Sequence, residues 1–225
     1  GVLAPFADSP DAVLATPRRT AVLKRLDQAL GGRMAIISGR TLDEIDRISG
    51  KAARSASGVH GLERRRGDGS MDTRQPSDGV RVAVRSFHDF AAQHPGVIVE
   101  DKGVSAGLHY RQAPGVQDKA DTLARSIAEE TGLKLQPGAM VLELKTPGTD
   151  KGTALTAFMQ ETPFAGSVPV MLGDDLTDEH AFVAARALGG FGVLVGPPRE
   201  TAARYRLDDV DTVLEWLEAV AGERE

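Results

Sequence analysis

Two short apolar runs, at residues 34–37 and 168–172, constrain the fold of this 225-residue chain most strongly. The first run is uninterrupted, which is typical of a parallel strand that is covered on both faces of its sheet, and the second indicates another strand of this buried type. A polar turn follows each run, beginning at Ser38 and at Gly173, and a pattern of helical period comes next. The chain therefore contains at least two βα units, and these predict an α/β core.

Between these two units the sequence pattern changes. Residue 64 begins a polar, turn-rich stretch, and from there to residue 146 the sequence predicts short strands and two helices. Alternating apolar and polar residues are typical of an antiparallel sheet with one buried and one solvated face. We therefore expect a Rossmann-like core of residues 1–63 and 147–225, interrupted by an α+β module at 64–146. Such a module can cover a site at the carboxyl ends of the core strands.

The second polar turn is rich in carboxylates. Asp174 and Asp175 are adjacent, and Asp178 and Glu179 follow closely. One interpretation is simple helix capping, because the macrodipole favours acidic residues at a helix start. Adjacent carboxylates, however, raise each other's pKa, and a hard cation such as Mg²⁺ removes that cost by binding their oxygens. The pattern favours the metal-binding interpretation over capping alone.

Lys151 and Ser38 are candidate anion contacts of the core. Lys151 starts a predicted helix, where a cation opposes the macrodipole by roughly 0.3–1 kcal/mol. With the free N–H groups there it could bind phosphate, although a solvated surface lysine explains it equally well. Ser38 follows a strand and could hold an oxyanion, but alone a simple turn serine is the better interpretation. Arg40 is either an anion contact or a structural partner.

Charged and polar side chains recur on the predicted strands of the module. Residues two apart on a strand share a face. The pairs that share a face are Glu100 with Lys102, His109 with Arg111, and Glu143 with Lys145. Such a face could bind sugar hydroxyls, while an ordinary solvated sheet face is the alternative that the residues alone favour. His60 lies where core and module meet, and both a hinge and a substrate contact are open.

Composition excludes several classes of function. The chain has no cysteine, which rules out disulfides, zinc–thiolate sites and cysteine nucleophiles. Its net charge of −5 argues against nucleic acid as a partner. No apolar run approaches the roughly 18 residues of a membrane span, and we expect a cytoplasmic protein without a membrane partner. P-loop, dinucleotide-binding and Ser-His-Asp motifs are missing from the sequence.

The motifs, taken in order, resemble those of the haloacid-dehalogenase phosphatases. Ser38 matches the second motif of that superfamily, Lys151 the third, and Gly173-Asp174-Asp175 the fourth. Longer strings, spread over nearly the whole chain, are similar to the trehalose-6-phosphate phosphatase family in particular. The strings are Ile37-Ser38-Gly39-Arg40, His60-Gly61-Leu62-Glu63, His109-Tyr110-Arg111, Glu143-Leu144-Lys145, Asp150-Lys151-Gly152 and residues 173–179.

The first motif of this family is Asp-x-Asp-Gly-Thr-Leu-Ala-Pro. The string Gly1-Val2-Leu3-Ala4-Pro5 matches its tail, with Val2 in place of threonine. We therefore expect both aspartates, which are the family's nucleophile and its general acid–base, upstream of Gly1.

The resemblance implies a haloacid-dehalogenase core with an inserted cap domain. It implies Mg²⁺-dependent hydrolysis of trehalose 6-phosphate through an aspartyl phosphate, the last step of trehalose synthesis. Ser38 and Lys151 would be catalytic, Asp174 and Asp175 would bind the metal, and Asp178 would support them. Substrate contacts would come from Arg40, His60, Gly61, Glu63, Lys102, His109, Arg111, Glu143 and Lys145.

Two alternatives and one partner stay open. The first alternative is a phosphatase of another sugar phosphate, of the sucrose or mannosylglycerate type. The second is a non-catalytic, regulatory phosphosugar-binding module, which would hold if no Asp-x-Asp pair precedes Gly1. The resemblance also leaves open a trehalose-phosphate synthase as a protein partner.

Overall fold

A computed structural model describes residues 1–5, 13–73, 75 and 77–222, which form two compact units. The first, called the core unit, comprises the described residues of Gly1–Asp72 and Thr149–Glu225. The second, called the inserted unit, comprises those of Thr73–Gly148. The predicted fold class, an α/β protein with both parallel and antiparallel sheets, is confirmed.

The described residues contain helices and strands in both units. In chain order the α-helices are α1 (Pro17–Ala29), α2 (Leu42–Ser49), α3 (Asp78–Gln93), α4 (Gln117–Thr131), α5 (Lys151–Met159), α6 (Glu179–Ala187) and α7 (Val210–Gly222). The strands are β1 (Ala35–Ile37), β2 (Ser55–Gly58), β3 (Glu63–Arg65), β4 (Met71–Thr73), β5 (Ile98–Asp101), β6 (Ser105–His109), β7 (Lys134–Gly138), β8 (Val141–Lys145), β9 (Val170–Gly173), β10 (Phe191–Val195) and β11 (Tyr205–Leu207). No helix among them is both long and apolar enough to cross a membrane.

Local capping signals set the ends of several helices. The side chain of Thr16 accepts a hydrogen bond from the N–H of Arg19 at the start of α1. Thr41 and Glu44 form a capping box at the start of α2, satisfying N–H groups that have no partner within the helix. Gly132 ends α4 in the left-handed conformation, which glycine adopts without a steric penalty.

The core unit contains two sheets. In the first, β1 pairs with β2 in parallel, β3 pairs with β2 in antiparallel orientation, and β4 follows β3. In the second, β10 lies between β9 and β11, and all three strands are parallel. The turn of Ser38 follows the carboxyl end of β1, and the acidic turn of Asp174 follows that of β9. The parallel strands thus place the candidate residues at strand ends.

Helices α1 and α7 pack together in the core unit. Val22 and Leu26 of α1 join Val213 and Leu217 of α7 in one apolar cluster with Val195 of β10. Burial of such side chains is worth about 1.5–3 kcal/mol each, so this cluster stabilises the packing of both helices on β10.

The stretch 64–72, which the sequence analysis places in the module, lies with the core unit. The reason is strand pairing, because Arg64 of β3 lies opposite Ser57 of β2. The guanidinium of Arg64 also donates hydrogen bonds to Glu161, just beyond α5, at 2.7 and 3.0 Å. These contacts attach the stretch to core elements.

The inserted unit is a four-stranded sheet with two helices on one face. The strand order is β5-β6-β8-β7, and all neighbours are antiparallel, as predicted. Phe87 of α3 and Ala124 of α4 pack on Leu108 and Leu144 of the sheet. Strand β6 ends at His109, so Arg111, which the sequence analysis pairs with His109 on one strand face, lies beyond the strand because the chain then turns.

Candidate active site

Ser38 is held firmly in the turn after β1. Its N–H donates to the carbonyl of Ser57 at 2.9 Å, and its own carbonyl accepts from the N–H of His60 at 2.9 Å. Its Oγ accepts a hydrogen bond from the N–H of Arg40 at 3.2 Å. Because Oγ is the acceptor there, its hydroxyl proton can be donated to an anion.

Asp178 connects the acidic turn to Lys151. Its Oδ2 accepts hydrogen bonds from the N–H groups of Asp174 and Asp175, at 3.1 and 3.0 Å. Its Oδ1 accepts from Nζ of Lys151 at 2.6 Å. Asp178 is only 2% exposed and Lys151 only 8%, so the solvated surface lysine considered above is excluded. One buried carboxylate therefore holds both the backbone of the acidic turn and the ammonium group of Lys151.

Asp174 has a carboxylate that the described residues leave poorly neutralised. Burial raises the pKa of Asp174, and the nearby charges of Asp178 and Asp175 raise it further. The charge of Lys151 acts in the opposite direction without cancelling this rise. The nitrogen of Gly1 lies 3.5 Å from Oδ2 of Asp174. The tail of the first family motif is thus next to the acidic turn.

The donor type of this turn fits Mg²⁺. Asp174 offers carboxylate oxygens, the ligands a hard cation prefers, and a cation there would offset the raised pKa. Asp175 also caps the turn, because its Oδ1 accepts from the N–H of Leu176. No group of three Asp, Glu or His residues within the described ranges could hold a metal. The described residues alone therefore do not complete a metal site.

His60 and Gly61 lie between the Ser38 turn and the start of α5. A Cβ atom on Gly39 would come within 2.4 Å of the His60 ring, and one on Gly61 within 3.0 Å of the Asp150 carbonyl. Val59 and His60 both have left-handed backbones, with φ of 45° and 54°. Such conformations cost on the order of 1–3 kcal/mol each and cluster at functional sites. His60 is thus brought close to Ser38 and α5.

Arg40 and Glu63 contact the start of α2. Arg40 donates from Nη1 to Glu44 at 2.9 Å, and Oε2 of Glu63 accepts from the N–H of Leu42 at 3.2 Å. These contacts satisfy groups at the helix start and give both residues a structural role in the described chain.

The polar face of the inserted sheet carries a connected network. Oε1 of Glu143 accepts from Ser105 Oγ at 2.7 Å and from Lys102 Nζ at 3.3 Å. Nζ of Lys102 also lies 3.5 Å from Oε2 of Glu100, which His109 Nε2 contacts at 2.9 Å. Burial raises the pKa of Glu100, but the His109 hydrogen bond and the Lys102 charge outweigh it, leaving the pKa below its ordinary value.

Burial distinguishes this face from an ordinary solvated sheet surface. Glu143 is 7% exposed and Lys145 only 1%. Arg111 lies apart, because it is exposed beyond the end of β6 and contacts the carbonyl of Ala139 at 3.4 Å. The structure therefore brings Lys102, His109 and Glu143 together in one network and leaves Arg111 outside it.

Two residues that hold the candidate groups escaped sequence reasoning. Ser105 binds Glu143, and the alternation along β6 with His109 could have revealed it. Arg199 donates from Nη2 to the carbonyl of Asp175 at 3.0 Å. It lies far along the chain from the acidic turn, and no local pattern marks it.

Comparisons with known proteins indicate one family. The family described as trehalose-phosphatase matches residues 1–211. The trehalose-6-phosphate phosphatase of Escherichia coli K12 is 40% identical over 222 residues, covering 98% of this chain and 83% of that protein. A probable trehalose-phosphate phosphatase of Sinorhizobium fredii is 36% identical over 200 residues, covering 88% of this chain and 76% of that protein.

A solved structure agrees at the level of the fold. The C-terminal domain of a C. albicans trehalose-6-phosphate phosphatase superposes with a TM-score of 0.84 at 21% identity. That superposition covers 99% of this chain and 89% of the solved one. Fold, motifs and sequence identity lead to one conclusion: the chain belongs to the trehalose-phosphatase family.

Proposed function

We propose that this protein hydrolyses trehalose 6-phosphate to trehalose and phosphate. The observation that carries the proposal is the bridge made by Asp178, which joins buried Lys151 to the turn of Asp174 and Asp175. A buried cation beside an incompletely neutralised carboxylate suits a phosphate ester together with a divalent metal. The E. coli relative is a trehalose-6-phosphate phosphatase and the S. fredii relative a probable trehalose-phosphate phosphatase, which supports the choice of sugar phosphate.

Lys151 and Ser38 are proposed to stabilise the phosphoryl group. Charge that develops on its oxygens in the transition state would be met by Nζ of Lys151 and the hydroxyl of Ser38. Both are preorganised, Lys151 by Asp178 and Ser38 by the turn after β1. Bound Mg²⁺, held by Asp174 with Asp175 beside it, would supply further neutralisation of phosphoryl charge.

The nucleophile in this proposal is the first aspartate of the pair expected upstream of Gly1. It would attack phosphorus in line and release trehalose, leaving an aspartyl phosphate. The second aspartate would protonate the leaving sugar oxygen and then deprotonate the water that hydrolyses the intermediate.

The inserted unit is proposed to act as the cap and to recognise the sugar. The network of Glu143, Lys102 and His109 offers acceptors and donors that suit sugar hydroxyls. Their mutual hydrogen bonds fix the side chains before a sugar arrives, which reduces the entropy lost on binding. The other residues proposed to contact the substrate are Arg40, His60, Gly61, Glu63, Arg111 and Lys145.

A cytoplasmic location and a trehalose-phosphate synthase as a protein partner stay predictions.

The test is release of inorganic phosphate from trehalose 6-phosphate by the full protein, with and without Mg²⁺. We expect release that EDTA abolishes and that added Mg²⁺ restores. Parallel assays with sucrose and mannosylglycerate phosphates separate the nearest alternative. A folded, Mg²⁺-supplied protein that releases phosphate from none of these would favour the non-catalytic phosphosugar-binding module instead.

A further inference from the structure

Glu179, the last residue of the acidic string, has no role in the chemistry proposed above. Its carboxylate binds the loop that follows β10. Oε2 accepts from the N–H of Ala202 at 2.7 Å, and Oε1 accepts from Oγ1 of Thr201 at 2.8 Å. The guanidinium of Arg199 contacts Oε1 as well. Burial alone raises the pKa of Glu179, but these hydrogen bonds outweigh it and keep the carboxylate ionised.

Arg199 reaches from Glu179 back to the acidic turn. Its Nη1 contacts Glu179 and donates to the carbonyl of Glu200 at 3.1 Å, while Nη2 donates to the carbonyl of Asp175 at 3.0 Å. The planar guanidinium can hold these acceptors at once because its donors are fixed in one fork.

The turn is therefore held on both sides. Asp178 accepts from the N–H groups of Asp174 and Asp175, and Arg199 donates to the carbonyl of Asp175. Arg18, by contrast, forms a bidentate side-chain ion pair with Glu218 on the protein surface. Arg199 instead connects a loop to the backbone beside a candidate metal ligand.

Building on the proposed function, we infer that Arg199 and Glu179 are positioning residues for metal binding. They form a clasp, defined as Arg199, Glu179 and the loop residues Thr201 and Ala202, that fixes the orientation of the Asp175 peptide. Because Asp174 and Asp175 are adjacent, a shift of the Asp175 backbone would also displace Asp174 and its carboxylate. The clasp contacts neither the phosphate nor the sugar in this proposal.

The test measures Mg²⁺ binding to the full protein by isothermal titration calorimetry in the absence of substrate. We expect Arg199→Ala to weaken Mg²⁺ affinity on the order of 10-fold to 100-fold, the range typical of residues that support metal ligands. Glu179→Gln should weaken it less, because the amide keeps an acceptor. The matched control is Arg204→Ala, which removes an exposed arginine stacked on Tyr205 in the same region.

Kinetics supply a second readout. At saturating Mg²⁺, the KM of Arg199→Ala for trehalose 6-phosphate should equal that of the wild type. Its phosphate release at low Mg²⁺ should be reduced and should recover as Mg²⁺ is raised. Arg199→Lys keeps the positive charge but loses the planar guanidinium, so it should give an intermediate Mg²⁺ affinity. This variant replaces Arg199→Ala in the test if the alanine variant does not fold.

The inference would be wrong if folded Arg199→Lys and Glu179→Gln bound Mg²⁺ as tightly as the wild type and showed only a lower melting temperature. The clasp would then hold the loop in place without affecting the metal ligands. That result would leave the proposed function standing, because the wild type would still bind Mg²⁺ and release phosphate. A wild type that does neither would overturn the proposed function and the clasp together.

Discussion

At the scale of single residues, Asp178 brings together groups that the sequence sets far apart. Its two carboxylate oxygens accept hydrogen bonds from Lys151 at the start of α5 and from two N–H groups of the turn after β9. A buried ion pair that loses one partner leaves an uncompensated charge, and this typically costs about 3–5 kcal/mol. The residue therefore contributes to stability as well as to the site.

Replacing Asp178 with asparagine should lower the free energy of unfolding by about 3–5 kcal/mol, because Lys151 would keep its charge in a buried place. Urea unfolding at neutral pH measures the change. Asp209→Asn is the control, since Asp209 is an exposed residue that accepts from the N–H of Thr212 and should tolerate asparagine. Equal, small losses in both variants would show that the Lys151–Asp178 pair contributes little.

Replacing Lys151 with alanine should reduce turnover on trehalose 6-phosphate on the order of 10²–10³-fold, because a positioned donor to the transition state is lost. Steady-state kinetics of the folded variant measure this. Lys119→Ala is a close control, because Lys119 also lies in the first turn of a helix, α4, but is exposed. Near-normal turnover of Lys151→Ala would leave the lysine a purely structural role.

Sequence reasoning found the groups that lie at strand ends and missed those that act from a distance. Ser38 and Asp174 could be identified because each follows an apolar strand directly. The alternation along β6 could have placed Ser105 on the polar face, but no local pattern marks Arg199. The partners of these two residues, Glu143 and Asp175, are brought near only by sheet pairing and loop packing.

At the scale of elements, α5 and α6 approach closely where α5 begins. A Cβ atom on Gly152 would lie 2.5 Å from the carbonyl oxygen of His180, so only glycine fits without movement of backbone. The position of Lys151 beside Asp178 depends on this approach, because the two residues belong to neighbouring helix starts.

Gly152→Ala should therefore destabilise the protein by about 1–3 kcal/mol, the usual range for overpacking, although alanine favours helices. Thermal unfolding followed by circular dichroism measures it. Gly222→Ala is the control, because a Cβ atom there would meet nothing within 4 Å. A Gly152→Ala protein as stable as the wild type would contradict the close approach of the two helices.

The inserted sheet makes a prediction about substrate choice. Glu143→Ala should reduce kcat/KM for trehalose 6-phosphate far more than for a generic aryl phosphate, because the aryl ester has no sugar hydroxyls to bind. Glu130→Ala, at an exposed position of α4 in the same unit, should change neither. Equal losses on both substrates would remove Glu143 from the sugar site.

Elements with strong local signals could be predicted from the sequence, and weak strands could not. Helix α2 follows the Ser38 turn, where the sequence shows a pattern of helical period, and the capping box of Thr41 and Glu44 begins it. Strand β2, of sequence Ser-Ala-Ser-Gly, has no β-branched or aromatic residue and forms through pairing with β1. Strand β7 contains Pro137 and lies at the edge of its sheet, where proline is tolerated.

At the scale of the whole molecule, each unit has an apolar core of its own. Phe87 lies in the core of the inserted unit, and Phe182 lies in a cluster of the core unit. Both side chains are fully buried. Damage to one core should therefore be felt first within the unit that contains it.

Phe87→Ala should cost about 3–5 kcal/mol and raise amide hydrogen exchange first within Thr73–Gly148. Phe182→Ala is the matched variant in the other unit and should raise amide hydrogen exchange first in the core unit. Hydrogen–deuterium exchange with mass spectrometry resolves the two cases. A uniform rise over the whole chain in both variants would show that the units unfold as one.

The discontinuous core unit has a consequence for how the protein is made. Thr73–Gly148 is a single uninterrupted stretch, so the ribosome delivers it complete before residue 149 emerges. Helix α1 must meanwhile wait for its packing partner α7, which lies much later in the chain. We expect the inserted unit to fold first during translation, while the apolar face of α1 stays exposed to chaperones until α7 has been synthesised.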